Sequence, residues 1–298
     1  KGAFGHVFQV YNQTYGCIAA KVIKKTNYDL KEWEIGFLLG KNHENPFVPK
    51  YISTNDYGEN VVILMEYANL GDLESIIRDK NKILPVSVIR AMLKQLLEGL
   101  RIMHVQKLIH RDIKGGNILL HNPTGTEKVV LKIADYGLVK NKKKVESFTE
   151  ISFAGTITHM APEMLIEDEN GEVKANEKID IWSTGIIAYQ LLTHSYPFRQ
   201  PTYPSVNAFI IQRKLIRPQQ VTNDALWNLL SQLIAFDKKD RLTAEQALIH
   251  DFFTNEQAQS EITAKAKQLA NEALIAKQNG DKSITQYDTD SSFTVLLS

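Results

Sequence analysis

The sequence predicts an α+β protein of two lobes, a small one built on strands followed by a larger, mainly helical one. Three observations carry this prediction. β-Branched and apolar runs punctuated by Gly and Asn-Asp occupy the first third of the chain. Helical periodicity takes over after Gly71. The strands precede the helices rather than alternating with them, which separates an α+β arrangement from a parallel α/β one.

Strands are expected at 6–10, 16–24 and 61–67, and one helix at 28–41, where Leu30, Trp33, Phe37, Leu38 and Gly40 recur at helical spacing. Pro85 precedes a long amphipathic helix with Ile89, Met92, Leu93, Leu96, Leu100 and Met103 on one face. Two short strands, 117–121 and 129–134, flank the turn-rich Asn122-Pro123-Thr124-Gly125. From 179 to 192 apolar residues occupy nearly every side of a helix, which implies burial all round. Thr243 and Gln246 form a capping box for a helix ending near Phe253. Beyond it Ile262, Leu269, Ala273 and Leu274 make a thin apolar stripe, and Asn279-Gly280 stops that helix. Residues 281–298, mostly Ser, Thr and Asp, are expected to be mobile. The resulting division is 1–68, 69–254, and a C-terminal helix with a polar tail at 255–298.

Composition narrows the function classes. A chain of 298 residues buries about 75% of its unfolded surface and needs no staples. Hydrophobic residues at 43% and charged residues at 23% exclude a disordered or collagen-like chain. A net charge of +1 provides no bulk field toward nucleic acid or anionic lipid. The single cysteine, Cys17, cannot close an internal disulfide or a thiolate cage, which fits a reducing, intracellular compartment and a cytoplasmic location. No uncharged apolar run approaches 18 residues, so no membrane span is expected. No signal peptide is visible in a chain that starts at Lys1.

The strongest chemical signal is His110-Arg111-Asp112-Ile113-Lys114-Gly115-Gly116-Asn117, between a helix and a strand. Its spacing can set a carboxylate, an ammonium and an amide oxygen around one reacting phosphoryl group. Asp135-Tyr136-Gly137 follows at the end of the next strand. Either tripeptide alone reads as a capped turn, but together and in this order they resemble the eukaryotic protein kinase family, serine/threonine type. The resemblance runs from about residue 2 to 253. It implies the two-lobed protein kinase fold, with a small antiparallel β-sheet N-lobe and a larger mainly helical C-lobe.

Gly2, Gly5 and Val7 resemble the end of the glycine-rich loop over ATP, whose first glycine would precede Lys1. On that reading the sequence begins inside its nucleotide loop, with the first strand missing. Ile18-Ala19-Ala20-Lys21 resembles the strand whose lysine holds the α- and β-phosphates, and Ala19 would line the nucleotide site. The family pairs that lysine with a helix glutamate. Glu34 is the expected partner, because Ile35 and Leu38 follow it in the family's helix pattern; it is only 13 residues away, so either the helix is trimmed at its start or Glu32 takes the role instead. Met65 would guard the back of the ATP site, the Glu66 carbonyl and Ala68 N–H would meet adenine, and Leu119 would line the pocket. Asp72 reads equally as a ribose contact or as a helix cap.

The resemblance further implies that Asp112 accepts the proton of the attacking hydroxyl and that Lys114 contacts the γ-phosphate. Asn117 and Asp135 would hold Mg2+, a hard cation suited to oxygen ligands. Tyr136 stands where the family most often has Phe, and its hydroxyl would need a partner if buried. Thr156 and Lys114 imply serine and threonine acceptors on protein substrates. Glu163 would pair with Arg241, and Asp180 would brace the catalytic loop. Arg111 is the natural partner for a phosphate placed on the activation segment by an upstream kinase. Ser152 sits at the expected position, and Ser147 and Thr149 are alternatives. The basic run Lys140, Lys142, Lys143 and Lys144 reads as a solvated loop face before it reads as a contact for acidic substrates, and no nucleic-acid partner is implied. Glu163 and Asp180 are 17 residues apart, and the excess holds Glu167, Asp168, Glu169 and Glu172, an exposed turn insertion or an acidic docking site. A nucleotide-binding pseudokinase scaffold is the competing functional reading, opposed by intact Lys21, Asp112, Asn117 and Asp135.

Overall fold

Alternating burial along Asn60–Glu66, with Val61, Ile63 and Met65 inward, marks an inner strand of a sheet with one covered face. The computed structural model describes residues 5–40, 45–123, 125–141, 146–147, 157–165, 172–173 and 176–297. Four antiparallel strands form the N-terminal sheet: β1 (His6–Asn12), β2 (Gly16–Lys24), β3 (Tyr51–Tyr57) and β4 (Asn60–Glu66), in the order β1-β2-β4-β3. Lys21 pairs with Val7 on one side and Ile63 on the other, which sets it in mid-sheet. Strand β3 was not anticipated from sequence, because Ser53, Thr54, Asn55 and Asp56 carry no apolar alternation.

Helix α1 (Leu30–Gly40) is, among the described residues, the α-helix of this lobe; it is shorter than the expected 28–41 and follows a 3-10 turn at Lys25–Asn27. Its inward stripe is Glu32, Gly36 and Leu39, at i, i+4 and i+7. A Cβ at Gly36 would lie 2.6 Å from Cζ of Tyr51, so the missing side chain is what lets helix and strand close up.

The helical lobe opens with α2 (Leu73–Arg78) and α3 (Val86–Val105), whose buried stripe runs from Ile89 to Met103 as the periodicity predicts. Strand β5 (Leu108–Ile109), the hairpin β6 (Ile118–His121) and β7 (Val130–Ile133), and β8 (Lys140–Asn141), which pairs with β5, carry the loops of interest. Helix α4 (Pro162–Leu165) leads to α5 (Lys178–Thr193), buried on nearly every side and ended by His194 in the left-handed region at φ 52°. Then come α6 (Tyr203–Gln212), α7 (Asp224–Leu233), α8 (Ala244–Leu248), α9 (Asp251–Thr254), α10 (Glu256–Ser260) and α11 (Ala264–Gln278). The Thr243–Gln246 capping box is present, but it opens the short α8 rather than one helix reaching Phe253. Among the described residues no helix is long and apolar enough to cross a membrane.

The tail departs from expectation. Instead of being mobile, it is packed: Val295 is fully buried and its carbonyl accepts from the Val129 N–H at 2.9 Å. Apolar residues spaced through it, Tyr287, Phe293 and Val295 among them, hold it in place, and a composition count dominated by Ser, Thr and Asp hides them.

Two buried polar arrangements fix the helical lobe. Arg241, with its side chain out of solvent, takes Glu163 in a bidentate pair at 2.7 and 3.0 Å and donates to the carbonyls of Ala235 and Lys178. Removing one partner strands a buried charge, so Glu163→Ala should lower stability by about 3–5 kcal/mol. Urea denaturation would contradict this with a loss no larger than the roughly 1 kcal/mol of a surface pair. His159, buried against Gln190 Oε1 at 3.0 Å, has its pKa pushed down to about 4 by desolvation, with the nearby Lys114 charge acting in the same direction. An unfolded histidine binds its proton near pH 6.5, so stability from neutral His159 is present above that pH and is lost as pH falls toward 4. That window should cost the parent about 3 kcal/mol relative to His159→Gln. Equal pH dependence of parent and variant in denaturant titrations would refute the assignment.

Candidate active site

Strand β2 is buried at four successive residues, Ile18 to Lys21, so the Lys21 ammonium is carried into the interior and must find countercharge. It finds two carboxylates: Glu32 Oε1 at 2.5 Å and Asp135 Oδ1 at 3.2 Å. Burial opposes the charge on Lys21, but the fields and hydrogen bonds of Asp135 and Glu32 outweigh it and hold the pKa above the usual lysine value. The lysine is therefore a fixed cation.

This corrects the expected Lys21–Glu34 pair. Glu32 is 4% exposed on the inner stripe of α1, whereas Glu34 is exposed to solvent. Residues two apart project from different faces of a helix, so one rotation cannot offer both. Only five residues separate the end of β2 from the start of α1, which brings the first helical turn opposite Lys21. The signal that identifies Glu32 is its register with Gly36 and Leu39 on the buried stripe of α1.

The second cluster lies on the loop between β5 and β6. Asp112 Oδ2 accepts from Lys114 Nζ at 2.7 Å and from Asn117 Nδ2 at 2.9 Å, and Asn117 Nδ2 also reaches the Asp112 carbonyl at 2.8 Å. The loop is pinned from below by Asp180 of α5, which accepts the N–H groups of His110 and Arg111 at 2.9 and 2.8 Å and the Nε2–H of His104 at 2.8 Å. Burial alone would raise the Asp180 pKa, but the His104 bond and charge, the His110 charge and the Arg111 N–H together hold it below the ordinary carboxylate value. Arg111 and Asp135 both have positive φ, 72° and 69°, so the backbone turns sharply at each.

The two clusters meet through Ala134. Its N–H donates to the Asn117 carbonyl at 2.8 Å and its carbonyl takes His110 Nε2 at 3.1 Å, which fixes Asp135 against both ends of the 110–117 loop. Tyr136 is buried between Tyr51 and His110 and donates its hydroxyl to the Ile133 carbonyl at 2.7 Å, which is the partner that a buried phenol requires. His104 and Tyr51, which complete these contacts, carry no motif that marks them in the sequence.

The remaining expected residues fall around this core. Gly5 lies against β2, where a Cβ would sit 2.5 Å from the Val22 carbonyl oxygen, and Val7 is exposed on β1. Ala19 and Met65 are buried cross-strand partners, and Leu119 is half-buried on β6. Chain continues from Glu66 through Ala68, and the Glu66 carboxylate takes Lys132 Nζ at 2.9 Å and the Lys50 N–H at 3.1 Å. Asp72 caps α2 by accepting from the Ser75 N–H at 2.9 Å. Gly2, Lys142, Lys143, Lys144, Thr149, Ser152, Thr156, Glu167, Asp168 and Glu169 lie outside the described residues. Among the described residues no group of three or more His, Cys, Asp or Glu is arranged to hold a metal ion.

Comparison with known proteins agrees with this geometry. The chain is 30% identical over 287 residues to cytokinesis protein sepH of Aspergillus terreus, covering 95% of this chain and 20% of that protein. It is 30% identical to serine/threonine-protein kinase 10 of Danio rerio, over 85% of this chain and 26% of that one. It is also 30% identical to human serine/threonine-protein kinase ULK1, over 79% and 22%. The chain thus spans only about a fifth to a quarter of the length of these relatives. Among solved structures, that of Rad53 1–466 in complex with AMP-PNP superposes with a TM-score of 0.68 at 25% identity, covering 85% of this chain and 63% of that one. The protein kinase domain family matches residues 1–253, and the chain belongs to it.

Proposed function

We propose that this chain transfers the γ-phosphoryl group of Mg-ATP to serine and threonine hydroxyls of protein substrates. The observation that carries the reading is the junction at Ala134, which holds the buried Lys21–Glu32–Asp135 cluster beside the Asp112–Lys114–Asn117 cluster. Family membership supports protein substrates. The named serine/threonine kinases among the relatives support the acceptor, and the AMP-PNP complex of Rad53 supports the nucleotide.

The chemistry follows from the residues. Lys21, kept charged and fixed in direction, presents one cation to the α- and β-phosphates without a reorganisation cost at the moment of transfer. Among the described residues Asp112 is held through Oδ2, and its carboxylate is the group to orient the acceptor hydroxyl. The acceptor oxygen bonds to the γ-phosphorus as the bond to the bridging oxygen breaks; ADP leaves and the hydroxyl proton passes to Asp112. Lys114, already on Asp112, offsets charge on the γ-phosphoryl oxygens. Asn117 and Asp135 supply an amide and a carboxylate oxygen, a donor set that suits magnesium completed by phosphate and water. Magnesium, when bound, neutralises phosphate charge as the group moves. Asp72, tied to the Ser75 N–H, has a second oxygen available for ribose.

Regulation is proposed at Arg111, with Ser152 as the phosphate acceptor and Ser147 and Thr149 as alternatives.

Two outcomes test the reading. Asp135→Asn should cut turnover by more than about a hundredfold, while Glu32→Gln costs at least about tenfold and Glu34→Gln leaves it nearly unchanged. A Glu34→Gln loss as large as that of Glu32→Gln would return the pairing to Glu34. Offered a degenerate peptide library, the enzyme should label serine and threonine. Predominant phosphotyrosine by mass spectrometry would overturn the acceptor assignment.

A further inference from the structure

The loop after α1 returns to the sheet through Phe47, Val48 and Tyr51, all buried. Phe47 is bound on three sides. Its N–H donates to Asn45 Oδ1 at 3.1 Å, and Asn45 Nδ2 in turn reaches the Gly99 carbonyl of α3 at 3.0 Å. Its carbonyl accepts from the Ile133 N–H at 2.7 Å, two residues before Asp135. Its ring is enclosed by the tail: Phe293 stacks at 6.0 Å and 17°, Tyr287 lies at 5.0 Å, and the two tail rings touch each other at 5.1 Å.

The tail is itself over-determined. Tyr287 donates its hydroxyl to Glu98 Oε1 at 2.7 Å, and Glu98 is held by Arg101 at 2.7 and 2.8 Å. Gln95 donates to the Phe293 carbonyl at 2.6 Å while its Oε1 accepts from the Leu131 N–H at 2.8 Å. Lys94 bonds the Ser292 hydroxyl and lies 4.5 Å over the Phe293 ring. So many directed contacts on an otherwise polar segment exceed what covering one apolar spot requires. They fix a position.

From Phe47 the contact path reaches both carboxylates around Lys21. Beyond Phe47, Pro49 and Lys50 pack on Gly40 at the end of α1, and Tyr51 meets Trp33 at 6.0 Å, one residue from Glu32. The Ile133 bond leads along β7 to Asp135. We propose that residues 287–295 form a positioning element for phosphoryl transfer: Tyr287 and Phe293 clamp Phe47, and through it keep α1 turned so that Glu32 meets Lys21. This rests on the kinase reading of the Lys21–Glu32–Asp135 cluster. The contacts of Tyr287 and Phe293 are to Phe47, Gln95, Glu98 and Lys94 and not to the Lys21 or Asp112 clusters, so the tail acts on the orientation of the site and not on its chemistry.

The test uses the full chain with Tyr287→Ala and Phe293→Ala combined, beside Phe293→Tyr, which keeps an aromatic ring. Hydrogen–deuterium exchange reads three places: Val129 for tail release, residues 30–40 for α1, and α7 as a remote control. In the double variant Val129 and α1 should exchange faster, α1 by at least about fivefold, with α7 unchanged, and kcat/KM for ATP should fall by a similar factor. Phe293→Tyr should leave both at the level of the parent. Tail release without faster α1 exchange overturns the proposal. So does an unreleased tail, since the ring cluster would then not be what holds it. So does equal acceleration in α7, which is general destabilisation. Exchange is read whether or not the parent turns over, so a parent without transferase activity would remove the kinase reading while leaving the coupling decided on its own evidence.

Discussion

A single carboxylate organises the centre of the helical lobe. Asp180 sits on a helix with almost no solvent-facing side, and a buried charge there survives only because its acceptor positions are filled by directed donors. Two of those donors are successive backbone N–H groups, those of His110 and Arg111, which a regular strand or helix would not aim at one side chain. The chain complies by turning through positive φ at Arg111, and the next residue, Asp112, is delivered to the cleft as a result. Lys114 and Asn117 then have a fixed carboxylate to gather on. The position of Asp135 depends on the same bracing, because Ala134 is tied to the loop at both His110 and Asn117. Strain at Arg111 and Asp135 is thereby offset by hydrogen bonds elsewhere, the usual condition for unfavoured backbone to persist.

Legibility from sequence followed the range of the physical signal. Order of elements, the long α3, the buried α5 and the capping box are local patterns and were readable directly. Spacing within 110–117 is enough to expect Asp112, Lys114 and Asn117 around one point, because a short loop leaves side chains few places to go, whereas the roles expected of Lys21 and Asp135 come from the family resemblance. For the helix partner of Lys21, motif position points to Glu34 and helical register to Glu32: Glu32, Gly36 and Leu39 share a face that Glu34 does not. Asp72 illustrates a different limit, since its cap is local and readable while a ribose contact needs a nucleotide to reveal it.

The polar strand β3 and the packed tail escape local reading for different reasons. β3 pairs with the next strand, β4, through the tight turn between Tyr57 and Asn60, but its own residues are polar, whereas the tail owes its place to Phe47, Gln95, Glu98 and Val129, far off in sequence. Neither has the periodicity that local reading depends on. Aromatic residues spaced through a polar segment were the available hint.

Lys21 shares its charge with two carboxylates at once, and this bears on how an inert form of the molecule should be made. Replacing that lysine by an apolar residue does more than remove a phosphate contact. It leaves Glu32, already pushed above its ordinary pKa by burial, with no opposing cation in the interior. Such a carboxylate either takes up a proton or turns outward, and α1 turns with it. The substituted protein would then differ from its parent in lobe geometry as well as in chemistry, and any partner that reads the shape of the small lobe would register the change. Neutralising Asp112 leaves the Lys21–Glu32 pair in place: among the described residues its side chain is held by Lys114 and Asn117, which lie on its own loop. In this chain a silent catalyst with an undisturbed silhouette is obtained at the loop, and not at the strand.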